Sequence, residues 1–121
     1  MNIYAENAPM ITTLELVEKI KKAIKNDSIY GVAKVTETER NTVRNWLNGG
    51  VMTDSLALRA AEITDLDAGY VLYSMAAERA QKKGNIRLFE FWKKRADHVL
   101  RTGTYLSICF LLPLSSLPSP F

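Results

Sequence analysis

Apolar residues recur at helical spacing along most of the chain, and short polar or glycine-containing breaks divide them into six segments. The first segment opens with Thr12 and Glu15, the spacing of a capping box, in which each side chain accepts from the other residue's backbone amide. The six predicted helices cover residues 13–26, 29–36, 39–47, 55–64, 68–83 and 86–100. The chain is therefore predicted to be all-α, a bundle of five or six helices.

The apolar positions also predict which face of each helix is buried. The first helix carries an apolar stripe opposite a row of lysines, at Leu14, Val17, Ile20 and Ile24. The third helix has only three apolar side chains, spaced i, i+3, i+4, at Val43, Trp46 and Leu47. The fourth helix, with Asp54 as its predicted N-cap, is largely apolar and closes the back of the bundle.

The outer face of the third helix carries four polar side chains that suit base recognition. They are Arg40, Asn41, Arg44 and Asn45. In the major groove of DNA, arginine pairs bidentately with guanine, and asparagine pairs with adenine. Residues 48–50, Asn-Gly-Gly, then end the helix. We therefore predict that this face reads base edges.

The second and third helices resemble the helix-turn-helix of the phage repressor family (lambda-repressor-like, Cro/C1-type). The matching residues are Val32-Ala33, Thr42-Val43, Trp46 and Asn48-Gly49. The resemblance covers residues 12–66, the predicted DNA-binding domain. The family usually has Leu-Gly-Val in the turn, where this chain has Thr-Glu-Thr at residues 36–38. Glu37 is thus predicted to take a conformation that favours glycine, unless the turn is built differently.

The resemblance implies contacts with double-stranded DNA, because in that family the second helix of the motif enters the major groove. Base contacts are implied for Arg40, Asn41, Arg44 and Asn45. Contacts with the phosphate backbone are implied for Ser28, Ile29, Lys34, Thr38, Thr42, Asn48 and Gly49. Lys34 and the backbone of Asn48 and Gly49 would fix the register of the protein on the phosphates.

The composition permits a polyanionic partner without requiring one. The 121 residues suffice for one domain, and the net charge is +3. Cys109 is the single cysteine, which excludes an intrachain disulfide and suits a reducing cytoplasm. Residues 1–11 are predicted to be a flexible lead-in, and they lack the basic start and hydrophobic run of a secretory signal. A cytoplasmic, nucleoid-associated protein is expected.

Candidate catalytic and metal-binding residues are few. His98 and Cys109 are the only residues of their types, so one copy cannot supply three or four soft metal ligands. Gly49-Gly50 lacks the preceding strand and following lysine of a phosphate-binding loop. Three aspartates at predicted helix starts are explained by capping: Asp54, Asp65 and Asp67. We predict no enzyme activity, metal, cofactor or small-molecule substrate.

Residues 67–102 are predicted to form a dimerisation region, because they carry more apolar surface than one helical neighbour covers. Its aromatic contacts are expected at Tyr70, Tyr73, Phe89 and Trp92. Residues 103–121 form an apolar tail that is too short and too broken by proline to span a membrane. Alternating apolar residues at Leu106, Ile108 and Phe110 suggest a strand that pairs between two subunits. A tail packed back over the domain and a frameshifted end are the alternatives.

These patterns favour a sequence-specific DNA-binding regulator that binds an inverted-repeat operator as a homodimer. The resemblance and the small size imply a phage-type repressor, such as that of a filamentous prophage. An antitoxin or a Cro-like regulator would share the same reading domain. The alternative from another class is a protein-interaction or membrane-associated adaptor that uses the apolar tail.

Overall fold

Six helices make up the part of the chain that the computed structural model describes, which is the backbone of residues 10–110 and the side chains of residues 10–101. They are α1 (Thr13–Ile24), α2 (Ile29–Thr36), α3 (Arg40–Leu47), α4 (Asp54–Thr64), α5 (Ala68–Lys82) and α6 (Ile86–Phe110). Residues 10–110 contain no β-strand. The predicted all-α fold is confirmed.

Side chains at the predicted positions begin three of the helices. Thr12 Oγ1 accepts from the Glu15 amide, and Glu15 Oε1 accepts from the Thr12 amide, which completes the predicted capping box before α1. Ser28 caps α2 and Asp67 caps α5, each accepting from the amide three residues on at 2.9 Å. Each cap stabilises its helix by about 1 kcal/mol, because it pairs a first-turn amide that has no partner within the helix.

Two of the three aspartates predicted as caps have other roles. Asp54 is the first residue of α4 rather than its N-cap, and its carboxylate pairs with Arg79 at 2.7 Å. Thr53 occupies the N-cap position without a side-chain hydrogen bond. Asp65 ends α4 in the left-handed conformation, with φ of 58°. Only the prediction for Asp67 is confirmed.

One hydrophobic core joins α1–α4 to α5, and α6 packs chiefly on α5. Its largest fully buried apolar side chains are Leu16, Val17, Ile20, Val32, Val43, Met52, Val71 and Met75. α4 contributes small residues, Ala57, Ala60 and Ala61, which are also buried. Small side chains allow helix axes to approach closely, and α4 packs against α1, α2 and α5.

The buried stripe of α1 agrees with the prediction at Val17, Ile20 and Ile24, which pack in or against the core, and differs at Leu14. Leu16, Val17 and Ile20 are buried, whereas Leu14 is 48% exposed. The reason is Thr13, which is fully buried because its hydroxyl donates to Glu78 Oε1 at 2.7 Å. Leu14 lies about 100° around the helix from Thr13, and this places it in solvent.

The N-terminal boundary of the core lies earlier than predicted. Ile11, expected in the flexible lead-in, is buried, and its amide donates to Ser74 Oγ at 3.0 Å. Met10 packs against the same core. The rest of the predicted lead-in, residues 1–9, lies outside the described part of the chain.

α6 is longer than predicted, since it continues past residue 100 to Phe110. This helical backbone contradicts the strand interpretation of residues 106–110. The side chains of Leu106, Ile108 and Phe110, and residues 111–121 altogether, lie outside the described part, and so does their predicted dimer contact. Among the described residues, no helix combines the length and the apolar character needed to cross a membrane.

Candidate nucleic-acid interface

α3 is fixed to the core by one face, and this determines where its other face points. Val43 and Trp46 are buried at a spacing of three residues. Leu47, predicted to face inward with them, is exposed, because it lies about 40° beyond Val43 on the side away from Trp46. The inward face of α3 is therefore narrower than predicted.

All four predicted base-reading side chains are exposed on the side of α3 opposite Val43 and Trp46. They are Arg40, Asn41, Arg44 and Asn45. Arg44 Nη1 donates to Asn41 Oδ1 at 3.0 Å, which aligns these two side chains. No carboxylate among the described residues forms an ion pair with either arginine of α3. Both positive charges are thus available to an external anion.

An open depression of about 700 Å³ lies between α2 and α3, next to the exposed arginines. Three cations, one carboxylate and four other residues line it: Lys34, Arg40, Arg44, Glu39, Tyr30, Ala33, Thr38 and Asn41. The depression is open to solvent and mostly positive, so it suits an extended polyanion.

Tyr30 also belongs to this surface, although the sequence pattern did not predict it. Its side chain is 59% exposed, and its ring centre lies 5.8 Å from the guanidinium carbon of Arg40. A cation beside an aromatic ring at an exposed site gains about 0.5–1 kcal/mol, which orients the arginine. The signal in the sequence was an aromatic residue at the start of α2 outside the apolar stripe.

Glu39 is a second addition to the predicted site. It occupies the N-cap position of α3, but its side chain makes no capping hydrogen bond. No acceptor within the described residues pairs with the amides of Arg40 and Asn41, the first two of the helix. A carboxylate at this position can accept from the exocyclic amine of cytosine. Glu39 therefore places one carboxylate on a surface that is otherwise positive.

Four of the predicted phosphate-contacting residues, Ile29, Lys34, Thr38 and Thr42, remain at least partly accessible. The Ile29 amide is a first-turn amide of α2 with no acceptor in the described part of the chain. Lys34 is exposed, and Thr38 and Thr42 are partly exposed. Ser28 differs, because its hydroxyl caps α2 and donates to Asn26 Oδ1 at 2.8 Å, so it is already occupied.

The backbone contact predicted at the end of α3 is not supported by the structure. The amide of Asn48 donates to the Arg44 carbonyl at 3.0 Å, and that of Gly49 donates to the Trp46 carbonyl at 3.2 Å. The next amide, that of residue 50, donates back to α3 at 2.7 Å. These hydrogen bonds terminate the helix, so none of the three N–H groups is free to donate to a phosphate.

The turn between α2 and α3 has the predicted glycine-like backbone at a glutamate. Glu37 has φ of 56°, and its carboxylate pairs with Arg59 Nη2 at 3.2 Å. Arg59 Nε also donates to the Val35 carbonyl at 3.3 Å. A non-glycine residue in this conformation costs about 1 kcal/mol. The arginine of α4 therefore braces a strained turn that sets the angle between α2 and α3.

No protein-family model, curated protein or solved structure matches this chain.

Of the predicted dimer contacts, Tyr70 lies inside the chain's own core. Its side chain is 7% exposed, and burial, followed by the charges of Glu15 and Asp97, raises the pKa of Tyr70 to about 12. Tyr70 is therefore removed from the predicted interface. Tyr73 is partly buried and stacks on Trp92 within the same chain, with ring centres 5.5 Å apart.

Other apolar side chains of α6 face solvent instead. Leu88 is exposed, and Phe91 is 51% exposed. Phe91 packs edge-on against Trp92, with ring centres 5.0 Å apart, and the guanidinium carbon of Arg95 lies 5.8 Å from the Phe91 ring. Leu88, Phe91 and Arg95 share one side of α6, and we name them the α6 strip. This strip is a solvent-exposed part of the predicted dimer region.

The side chains described contain no group of three or more His, Cys, Asp and Glu that could hold a metal ion. His98 is exposed on α6. Cys109 lies beyond the described side chains.

Proposed function

We propose that this protein is a sequence-specific DNA-binding regulator that places α3 in the major groove. The proposal is supported above all by the outer face of α3, where two arginines and two asparagines are exposed opposite the buried Val43 and Trp46. α3 has eight residues and is therefore about 12 Å long. The major groove is also about 12 Å wide, so such a helix fits across its floor.

The contacts among these side chains support distinct roles for them. Arg40 and Arg44 would each pair with a guanine, and Asn41 and Asn45 with adenines. The hydrogen bond from Arg44 to Asn41 restricts both side chains before DNA arrives, which lowers the entropy lost on binding. Lys34, exposed on α2 beside the depression, would bind a phosphate and carry no sequence information.

We further propose that the protein binds an inverted repeat as a homodimer. A single short helix reads only a few base pairs, whereas two copies about 34 Å apart read both halves of a symmetric site. The exposed Leu88 and Phe91 of the α6 strip support such pairing, because aromatic and aliphatic side chains commonly centre protein interfaces. The sequence resemblance to phage repressors favours repression, and Cro-like and antitoxin regulators share this recognition chemistry.

A second candidate function is that of a protein-interaction adaptor. It is favoured by the same exposed side chains of α6, Ile86, Leu88 and Phe91, which contact solvent in the isolated chain. An adaptor of this kind would use α2 and α3 only as scaffold. It would then bind all DNA sequences equally, in proportion to its net positive charge.

The two functions are separated by selecting binding sites from a randomised duplex library with the full chain. Arg44→Ala is compared with Arg101→Ala, which removes an exposed helical arginine about 22 Å along α6 from the start of that helix. The wild type should enrich an inverted repeat, and Arg44→Ala should lose about 1–3 kcal/mol of discrimination at one position of each half-site. Arg101→Ala should enrich the wild-type sequence. If the wild type enriched no sequence, the proposed function of a sequence-specific DNA-binding regulator would be excluded.

A further inference from the structure

We propose that Lys82, at the end of α5, binds a DNA phosphate beside the C-terminal end of α3. This inference rests on the proposed DNA-binding function and names a residue outside the helix-turn-helix. The two ends of α3 differ in how well they can bind a phosphate. The N-terminal end has free amides and lies beside Lys34, whereas the C-terminal end has neither feature of its own.

The C-terminal end of α3 is poorly suited to face a phosphate without help. Residues 45–53 include no lysine or arginine, and the amides of residues 48–50 already donate to α3 carbonyls. The carbonyl end of a helix also carries a partial negative charge, which repels anions. A helix about 12 Å long in a groove about 12 Å wide nevertheless brings both of its ends near the sugar-phosphate walls.

Lys82 supplies the missing positive charge from another part of the chain. A methyl group placed on Gly49 would lie 3.8 Å from Lys82 Nζ, so the ammonium group lies beside the backbone that follows α3. The side chain is exposed, and it forms no ion pair with a described carboxylate. An exposed ammonium with three donors suits a phosphate oxygen.

The placement of Lys82 is determined by hydrogen bonds that tie α5 to the loop after α3. Arg79 Nη1 donates to the Met52 carbonyl at 2.9 Å, and Arg79 Nη2 donates to Asp54 Oδ1 at 2.7 Å. The Met52 amide donates to Thr13 Oγ1 at 3.2 Å. Lys82 lies three residues after Arg79, on the same side of α5. Asp54 offsets the charge of Arg79, and Lys82 keeps its own.

α5 is thereby part of the DNA-binding unit, which extends past the predicted boundary at residue 66. In this arrangement Lys34 and Lys82 bind phosphates near opposite ends of α3 and clamp the reading helix in the groove. Because both contacts are made to phosphates, they should raise affinity for every sequence alike and leave the preference among sequences unchanged.

The test measures DNA binding by the full chain across a range of salt concentrations, on the enriched duplex and on random duplex. Lys82→Ala is compared with Lys94→Ala, which removes another exposed helical lysine, on α6. Lys82→Ala should weaken binding about five- to tenfold on both duplexes near 0.1 M salt and lower the salt slope by about one. Lys82→Arg should restore most of the affinity, and Lys94→Ala should match the wild type.

Protection of lysines from acetylation supplies an independent readout on the wild-type complex. Lys82 should label more slowly when DNA is bound, while Lys94 should label at the same rate with and without DNA. Selective wild-type binding together with an unchanged salt slope in Lys82→Ala, or with unprotected Lys82, would overturn this inference alone. Wild-type binding that shows no sequence preference would overturn the proposed function and this inference with it.

Discussion

α3 and α6 each bury one face in the same core, and they differ in what the opposite face offers. α3 is anchored by Val43 and Trp46 and presents arginine and asparagine to solvent. α6 is anchored partly by Ala96 and presents Leu88 and Phe91. Outer faces contribute little to folding, so their composition reflects other requirements. From this difference we propose a polar, anionic ligand for α3 and an apolar protein surface for α6.

The two helices also differ in how firmly they are positioned. The turn before α3 is braced by Arg59, and the loop after it is held by Arg79. α6 packs chiefly on a single neighbour, α5. A helix that reads bases must be held to within a fraction of an ångström, whereas a helix in an interface can adjust when its partner binds.

The largest expected effect is the loss of folding stability when the tryptophan that packs each helix against its neighbours is removed. Trp46→Ala should lower the free energy of unfolding by about 3–5 kcal/mol, because it empties the buried side of α3. Trp92→Ala should cost about 1–3 kcal/mol, since Trp92 is partly exposed and loses mainly its stacking on Tyr73. Urea denaturation followed by circular dichroism measures both values. Equal losses would mean that α6 is as deeply integrated as α3.

The next effect tests whether α6 is the surface that pairs two chains. Leu88→Ser should weaken self-association by about 2 kcal/mol, because it removes an exposed apolar side chain that the proposed interface would bury. Leu58→Ser on α4 is the matched control, since Leu58 and Leu88 are similarly exposed, at 45% and 42%. Sedimentation equilibrium gives both dissociation constants. If Leu58→Ser dissociates the protein and Leu88→Ser does not, the α6 strip is not the interface.

A smaller effect is expected where α2 contacts phosphate. Lys34→Ala should weaken DNA binding by about 1 kcal/mol on every sequence and lower the salt slope by about one, because one phosphate contact is lost. Lys94→Ala on α6 should leave both quantities unchanged. Fluorescence anisotropy titrations on the enriched and random duplexes measure them. A loss confined to the enriched duplex would assign Lys34 to base recognition instead.

The smallest effect concerns the strained turn that positions α3. Glu37→Ala and Glu37→Gly both remove the ion pair with Arg59, which is worth at most about 1 kcal/mol because both side chains are largely exposed. Only glycine also relieves the left-handed backbone, so Glu37→Gly should be about 1 kcal/mol more stable than Glu37→Ala. Thermal denaturation of the two variants gives the difference. Equal stabilities would show that the turn stores no strain.

Local sequence patterns were sufficient to predict most of the helices. The bounds of α2 were predicted correctly at 29–36, and those of α3, α4 and α5 to within one residue. Caps such as Thr12 and Ser28 act within one turn of helix, so they are visible in the sequence. On α1 only Leu14 was misplaced, and the burial of its neighbour Thr13 could not be predicted locally because Thr13 binds Glu78, a residue 65 positions away.

The residues of the candidate site also divide into those that local sequence predicts and those that depend on the packing of other helices. The outer face of α3 follows from helical spacing and the two buried residues Val43 and Trp46, so its four polar residues could be predicted. Tyr30 was missed although it is an aromatic residue outside the apolar stripe of α2. Lys82 could not be predicted, because it lies beside the end of α3 only through the packing of α5. The role of the amides at residues 48–50 also required the structure, since only the hydrogen bonds show that they are occupied.

The most direct test of the central claim is an equilibrium titration of the enriched duplex and a scrambled duplex of equal length and composition. The wild-type chain is compared with Arg44→Ala and with the matched Arg101→Ala. We predict tight binding of the enriched duplex by the wild type and by Arg101→Ala, and a loss of about 1–3 kcal/mol in Arg44→Ala on that duplex only. Equal wild-type affinity for both duplexes would contradict the assignment of α3 as a reading helix.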